Sequence, residues 1–224
     1  MIYVSIDLSI KSPGVAIHYT VGNEPKTILY SYTEYNVPSS VVGKFNESSY
    51  VIAIMHNDIE KVIKSSGSTL KESYFKRLKI NAIEFGKFID YLLNEYVLPY
   101  ADDKHLKFSI EGYSYNARGM AYDIAEFGGI IKYVIENKYN TEIKVIEPTR
   151  IKKFACKGNA KKDEMVEAAM SSNPTLKSIF ESMLPTYKKP KSTKNPLYES
   201  PFNDLVDAYF QLLYFINGEK NAGS

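Results

Sequence analysis

Four carboxylates at Asp7, Glu111, Asp204 and Asp207 stand out for where they fall. Asp7 ends an apolar N-terminal segment, Met1-Ile2-Tyr3-Val4-Ser5-Ile6. Glu111 closes a second one, Phe108-Ser109-Ile110. Asp204 and Asp207, three residues apart, share one face of any helix built on Asp204–Ile216. An acid is a costly residue to attach to a core strand, and one with no partner is costlier. Brought together, such acids repel one another, and hard divalent cations with oxygen ligands offset that repulsion well. Two ions roughly 3.5–4 Å apart can activate a water and stabilise a leaving oxygen in phosphodiester cleavage. Taken singly, each acid has a plainer role: Asp7 as a turn former, Asp204 as a helix cap or dipole partner, Asp207 as a surface residue. The metal reading needs all four at once.

A polyanionic substrate fits the charge distribution. The chain of 224 residues carries a formal net charge of only +2, yet Lys144–Lys194 holds twelve Lys/Arg against five acids. That leaves +7 in this segment and −5 in the remainder. A solvated lysine-rich surface is the alternative reading. Lysines far outnumber arginines, so contacts to nucleic acid should be made to phosphate as point charges, with little base reading. Lys152, Lys153, Lys161, Lys162, Lys188 and Lys189 are the candidate phosphate contacts. Tyr113 and Tyr115, just after Glu111, are candidates for stacking on a distorted base or sugar, with packing as their alternative. One cysteine, Cys156, and three scattered histidines exclude an intramolecular disulfide and an ordinary zinc site, which fits a reducing, intracellular setting. The longest apolar run, around Tyr50–Met55, is too short to cross a bilayer, and the N-terminus does not read as a signal peptide.

The elements that must position these acids follow from period and turn chemistry. Met1–Leu8, Val15–Tyr19 and Thr27–Tyr35 read as strands separated by Lys11-Ser12-Pro13-Gly14 and Gly22-Asn23-Glu24-Pro25, an antiparallel meander. Residues 36–73 read as an insertion or loop region with Ser-rich patches around a short apolar stretch. Tyr74–Leu98 and Tyr122–Glu136 have helical apolar spacing, Leu106–Ile110 and Ile143–Ile146 are short strands, and Pro148 opens a short helix. Lys161–Met170 and Asp204–Ile216 are helical, and Pro185–Pro201 reads as an exposed basic loop. Three antiparallel strands followed by alternating helices and strands predict one α/β domain over residues 1–224. Its mixed sheet, with helices on both faces, matches the ribonuclease H-like fold.

At this point four segments resemble the RuvC-like Holliday junction resolvases, in particular their bacteriophage branch. They are Ser5-Ile6-Asp7-Leu8-Ser9 with Gly14 beyond it; Ser109-Ile110-Glu111-Gly112-Tyr113 followed by Ala125-Glu126-Phe127-Gly128-Gly129; Gly158-Asn159-Ala160-Lys161-Lys162; and Asp204-Leu205-Val206-Asp207-Ala208. The resemblance implies that Asp7, Glu111, Asp204 and Asp207 hold two Mg²⁺ ions, with Mn²⁺ possible, and that Lys162 is the lysine near the DNA phosphates. It further implies an endonuclease of branched double-stranded DNA serving recombination or repair, acting as a homodimer in the cytoplasm of a bacterial host. The chain departs from the bacterial pattern by the insertion before the first long helix and by the Pro/Lys loop before the last acidic pair. Both bear on which branch is recognised.

Two other readings share these residues. A ribonuclease H-like enzyme acting on RNA or an RNA–DNA hybrid would use the same acids on another substrate. A non-catalytic nucleic-acid-binding scaffold would keep the fold alone, but a scaffold has no need to hold four repelling carboxylates together.

Overall fold

A computed structural model describes residues 1–33, 50–56, 70–113, 121–184 and 195–222. Six strands form one sheet: β1 (Ile2–Asp7), β2 (Gly14–Val21), β3 (Glu24–Thr33), β4 (Tyr50–His56), β5 (Leu106–Glu111) and β6 (Ile143–Ile146). Their order is β4-β3-β2-β1-β5-β6. β1, β2 and β3 run antiparallel as the expected meander, while β4 on β3, β5 on β1 and β6 on β5 are parallel. The helices are α1 (Leu70–Leu92), extended by a π-helical turn at Leu93–Val97, α2 (Ala121–Tyr139), α3 (Pro148–Ala155), α4 (Lys162–Ser172), α5 (Pro174–Met183) and α6 (Phe202–Ala222). A mixed sheet of this order with helices on both faces is the ribonuclease H-like α/β arrangement.

Two elements lie where local sequence signals are weak. The apolar stretch within residues 36–73 is β4, which pairs with β3 along its whole length. Val51-Ile52-Ala53-Ile54-Met55 lacks alternation because helices cover both faces of the strand: Ala53 faces one core, Ile52 and Ile54 the other. Helix α5 starts at Pro174 behind the cap Asn173, whose side chain accepts from the Leu176 N–H.

Strand parity decides which side of the sheet each acid occupies. Ile2, Val4 and Ile6 of β1, with Phe108 and Ile110 of β5, point into a core closed by α1 and α2 through Phe85, Ile89, Phe127 and Ile131. The alternate positions face the opposite side, where Ala16, Leu29 and Ile52 pack under α4, α5 and α6 with Val166, Phe180, Phe202 and Leu205. Tyr3 stands on this second face, edge-on to Phe215 of α6 with ring centroids 5.6 Å apart. Asp7, four residues on from Tyr3, and Glu111, three on from Phe108, therefore face α6 as well. Gly14 is required where β2 meets that helix. A Cβ there would lie 2.6 Å from the Asp204 carbonyl oxygen, so any side chain would push α6 off the sheet.

Candidate active site

All four acids come together between the sheet face and the first turns of α6. Asp7 and Asp204 are 5% and 2% exposed, and Glu111 and Asp207 are half-buried. The Asp7 and Glu111 carboxyls lie close enough to perturb each other. Every one of the four is pushed above its ordinary range. Burial is the main cause for Asp7, followed by the charges of Glu111, Asp207 and Asp204. Burial and then Glu111 lift Asp207 to about 7. Burial also raises Glu111 and Asp204, but each is held back: Glu111 by its bond to Asp7 and by Lys152 and Lys162, Asp204 by Lys162 and the hydroxyls of Ser200 and Ser12.

The cations predicted from the sequence divide into those at the acids and those at the rim. Lys162, the first residue of α4, has its Nζ 3.5 Å from Asp204 Oδ1. Burial opposes its charge, yet Asp204, Asp207 and Asp7 together raise its pKa. Lys152 of α3 is close enough for its charge to lower both Glu111 and Asp207. Lys153 and Lys161 are exposed on the same side of the chain's fold as α3 and the start of α4. Tyr113 is 43% exposed and lines a shallow crevice with Glu111, Gly112, Gly128 and Lys132. Tyr115, Lys188 and Lys189 lie outside the described residues.

Whether these side chains fit a divalent cation can be judged from the donors themselves. All are carboxylate oxygens, the ligand type that Mg²⁺ and Mn²⁺ prefer. Among the described residues, Asp204 Oδ2 is buried with no hydrogen-bond partner, an acceptor held ready without a donor. Also among the described residues, no group of three or more acids, imidazoles or thiolates is arranged so that it could hold a metal ion. The residues fit a divalent cation on charge, donor type and the open valence of Asp204.

Sequence reasoning missed the residues that support the acids. Ser12 and Ser200 flank Asp204, and Ser12 Oγ is also 2.9 Å from Ser31 Oγ inside the sheet. Their only signal was position: Ser12 lies in the turn before Gly14, and Ser200 lies four residues before Asp204.

No protein-family model matches the chain, and no curated protein matches it. Among solved structures, Thermus thermophilus RuvC is similar at 12% identity and a TM-score of 0.44, over 98% of this chain and 97% of that one. T. thermophilus RuvC in complex with a Holliday junction substrate is similar at 13% identity and a TM-score of 0.46, over 98% and 96%. The Fowlpox virus resolvase in complex with Holliday junction DNA gives 15% and 0.38, over 98% and 99%. The chemistry of the site rests on its own side chains.

Proposed function

We propose that this protein is a divalent-metal-dependent endonuclease that cuts phosphodiester bonds in branched DNA. The observation that carries the reading is the convergence of Asp7, Glu111, Asp204 and Asp207 from two strands and one helix, with Asp204 Oδ2 left unpaired. Four acids gathered at a partly buried site, each with a raised pKa, are a destabilising arrangement unless a cation is bound. Mg²⁺ or Mn²⁺, when bound, supplies Lewis-acid activation of water and charge neutralisation at the scissile phosphate. The chain supplies the rest. Asp7 and Glu111 are fixed by adjacent strands, Asp204 and Asp207 by one face of α6, so the ligands approach from two sides. Lys162 is placed to pair with a non-bridging phosphate oxygen once Asp204 turns to a metal. Lys152, whose charge reaches Glu111 and Asp207, and the exposed Lys153 and Lys161 would hold the flanking phosphates without reading bases.

One such site cuts one strand, so resolving a junction symmetrically takes a second copy of the chain, and a homodimer is part of the proposal. The four sequence segments that resemble the RuvC-like resolvases carry all four acids and Lys162, which favours a four-way junction over an RNA–DNA hybrid. The test is a panel of labelled four-way, three-way, flap, linear and hybrid substrates, with and without Mg²⁺. Mg²⁺-dependent cutting of the four-way junction is expected. Cutting confined to the hybrid would move the reading to a ribonuclease H-type activity, and no cutting of any substrate would reject it.

A further inference from the structure

Directly beneath the acids lies a row of three buried polar side chains. Ser5 of β1 and Ser109 of β5 are register partners on adjacent parallel strands, and their Oγ atoms are 2.7 Å apart. Gln211 of α6 donates from Nε2 to Ser109 Oγ at 3.1 Å. Ser5 and Ser109 are fully buried and Gln211 is 1% exposed. Each sits a fixed step from an acid. Ser5 is two residues before Asp7 and Ser109 two before Glu111, hence on the same sheet face. Gln211 is one helical turn past Asp207 and two past Asp204, hence on the same helix face. One hydrogen-bonded row therefore ties together the three elements that carry all four carboxylates.

We infer that Gln211 is a positioning residue that locks α6 to β1 and β5, and so sets the spacing of the two acidic pairs. The inference rests on the reading of those acids as a metal-binding site. Stability alone does not account for the amide. Among the described residues its Oε1 is buried without a hydrogen-bond partner, and a methionine of the same length would fill the space with no polar atom to strand. What the amide adds is direction. Apolar contacts between a helix and a sheet tolerate small slides and rotations, whereas a bond from Gln211 to one hydroxyl of β5, itself bonded to β1, admits a single register. A slide of about 1 Å would part Asp204 and Asp207 from Asp7 and Glu111, and metal affinity is sensitive to displacements of that size. Groups that orient metal ligands are typically worth 10–100-fold in affinity.

The test compares wild type with Gln211→Met and Ser109→Ala in the full chain, using Mn²⁺ titration calorimetry, thermal melting and amide hydrogen exchange. Expected for Gln211→Met are a melting midpoint equal to or above that of wild type, Mn²⁺ binding weakened at least tenfold, and faster exchange of the amides at 204–208. Ser109→Ala removes the same bond, so the double variant should lose no more affinity than Gln211→Met alone. If Gln211→Met does not fold, Ser109→Ala answers the question by itself. Unchanged Mn²⁺ affinity together with unchanged exchange would overturn the clamp. If wild type binds no Mn²⁺, the metal reading of the acids fails, and the exchange data alone decide the clamp: faster exchange at 204–208 upholds it and unchanged exchange rejects it.

Discussion

Replacing Asp207 by Asn should make the metal-free protein more stable while removing its activity. In the folded state burial and the charge of Glu111 raise the Asp207 carboxyl from 3.8 to about 7. The folded protein therefore holds a proton that the unfolded chain has lost between these two values. The sign follows directly: this residue's contribution to stability is fully present below about pH 4, declines as pH rises, and is lost above about pH 7. A shift of roughly 3 pH units corresponds to a ceiling of about 4 kcal/mol. Part of that ceiling is shared, because Asp207 titrates together with Asp7, Glu111 and Asp204, and Lys162 and Lys152 partly offset its charge. A gain of about 1–2 kcal/mol for Asp207→Asn at pH 8 is the working expectation, or a midpoint rise of about 2–8 °C for a chain this size. The useful quantity is the difference between variant and wild type across pH. Surface acids such as Asp90 and Glu219, lowered by their lysine partners, tilt both proteins' stability the opposite way and cancel in the difference. Chemical denaturation at pH 4, 6 and 8 should show that difference near zero at pH 4 and growing with pH. Adding Mg²⁺ at pH 8 should stabilise wild type more than the variant, and junction cleavage should be lost in the variant. A variant less stable than wild type at pH 8, or a difference independent of pH, would refute the electrostatic account of the site.

Three further outcomes follow from other parts of the structure. Gly14→Ala sets a Cβ 2.6 Å from the Asp204 carbonyl oxygen, against backbone that cannot turn aside, so it should cost about 2–3 kcal/mol in urea unfolding and abolish cleavage. Lys162→Met should leave the fold intact and lower the single-turnover cleavage rate by about 10²–10³-fold, the usual loss on removing one charge-stabilising donor; a rate within threefold of wild type would remove Lys162 from the chemistry. Changing Lys152, Lys153 and Lys161 together to Gln should flatten the slope of log affinity against log salt by about 2–3 in a DNA-binding assay, and an unchanged slope would show that this rim does not touch phosphate.

Much of the site was legible because strand parity and helix period act locally. An acid at the end of Ser5-Ile6-Asp7 must face opposite to Ile6, and Glu111 opposite to Ile110, once those isoleucines are committed to the core. Asp204 and Asp207 share a face at any helical spacing. Met1–Thr33 contains its own turns and leaves two free edges, of which β4 takes that of β3 and β5 that of β1. What was not legible depends on contacts made at a distance. The strand β4 looks like a loop in isolation because its unbroken apolar run means burial on both faces, which is a property of helices elsewhere in the chain. Helix α5 went unread: it starts at Pro174 behind the cap Asn173, and polar residues separate Leu176, Phe180 and Met183, which make its buried face. Gln211 reads from sequence as one polar residue in an apolar helix, and only the register of β1 with β5 shows what it meets.

The placement of these acids explains why the cluster and its supports occupy the seam between the sheet and the last helix. Asp7, Glu111 and the α6 pair come from segments separated by most of the chain, so no local interaction can hold them at a fixed separation. The seam can, because it is the one surface where β1, β5 and α6 all touch, and its hydrophobic packing fixes the three relative to one another. The same packing buries the acids, and burial is the main cause that raises every carboxyl. A cluster at a solvent-facing loop would avoid that cost, but it would also lose the fixed spacing and the low dielectric that make ligands bind a divalent ion tightly. The electrostatic strain of the site and the cation binding proposed for it would thus have one cause, which is why relieving the first by Asp207→Asn is expected to abolish the second.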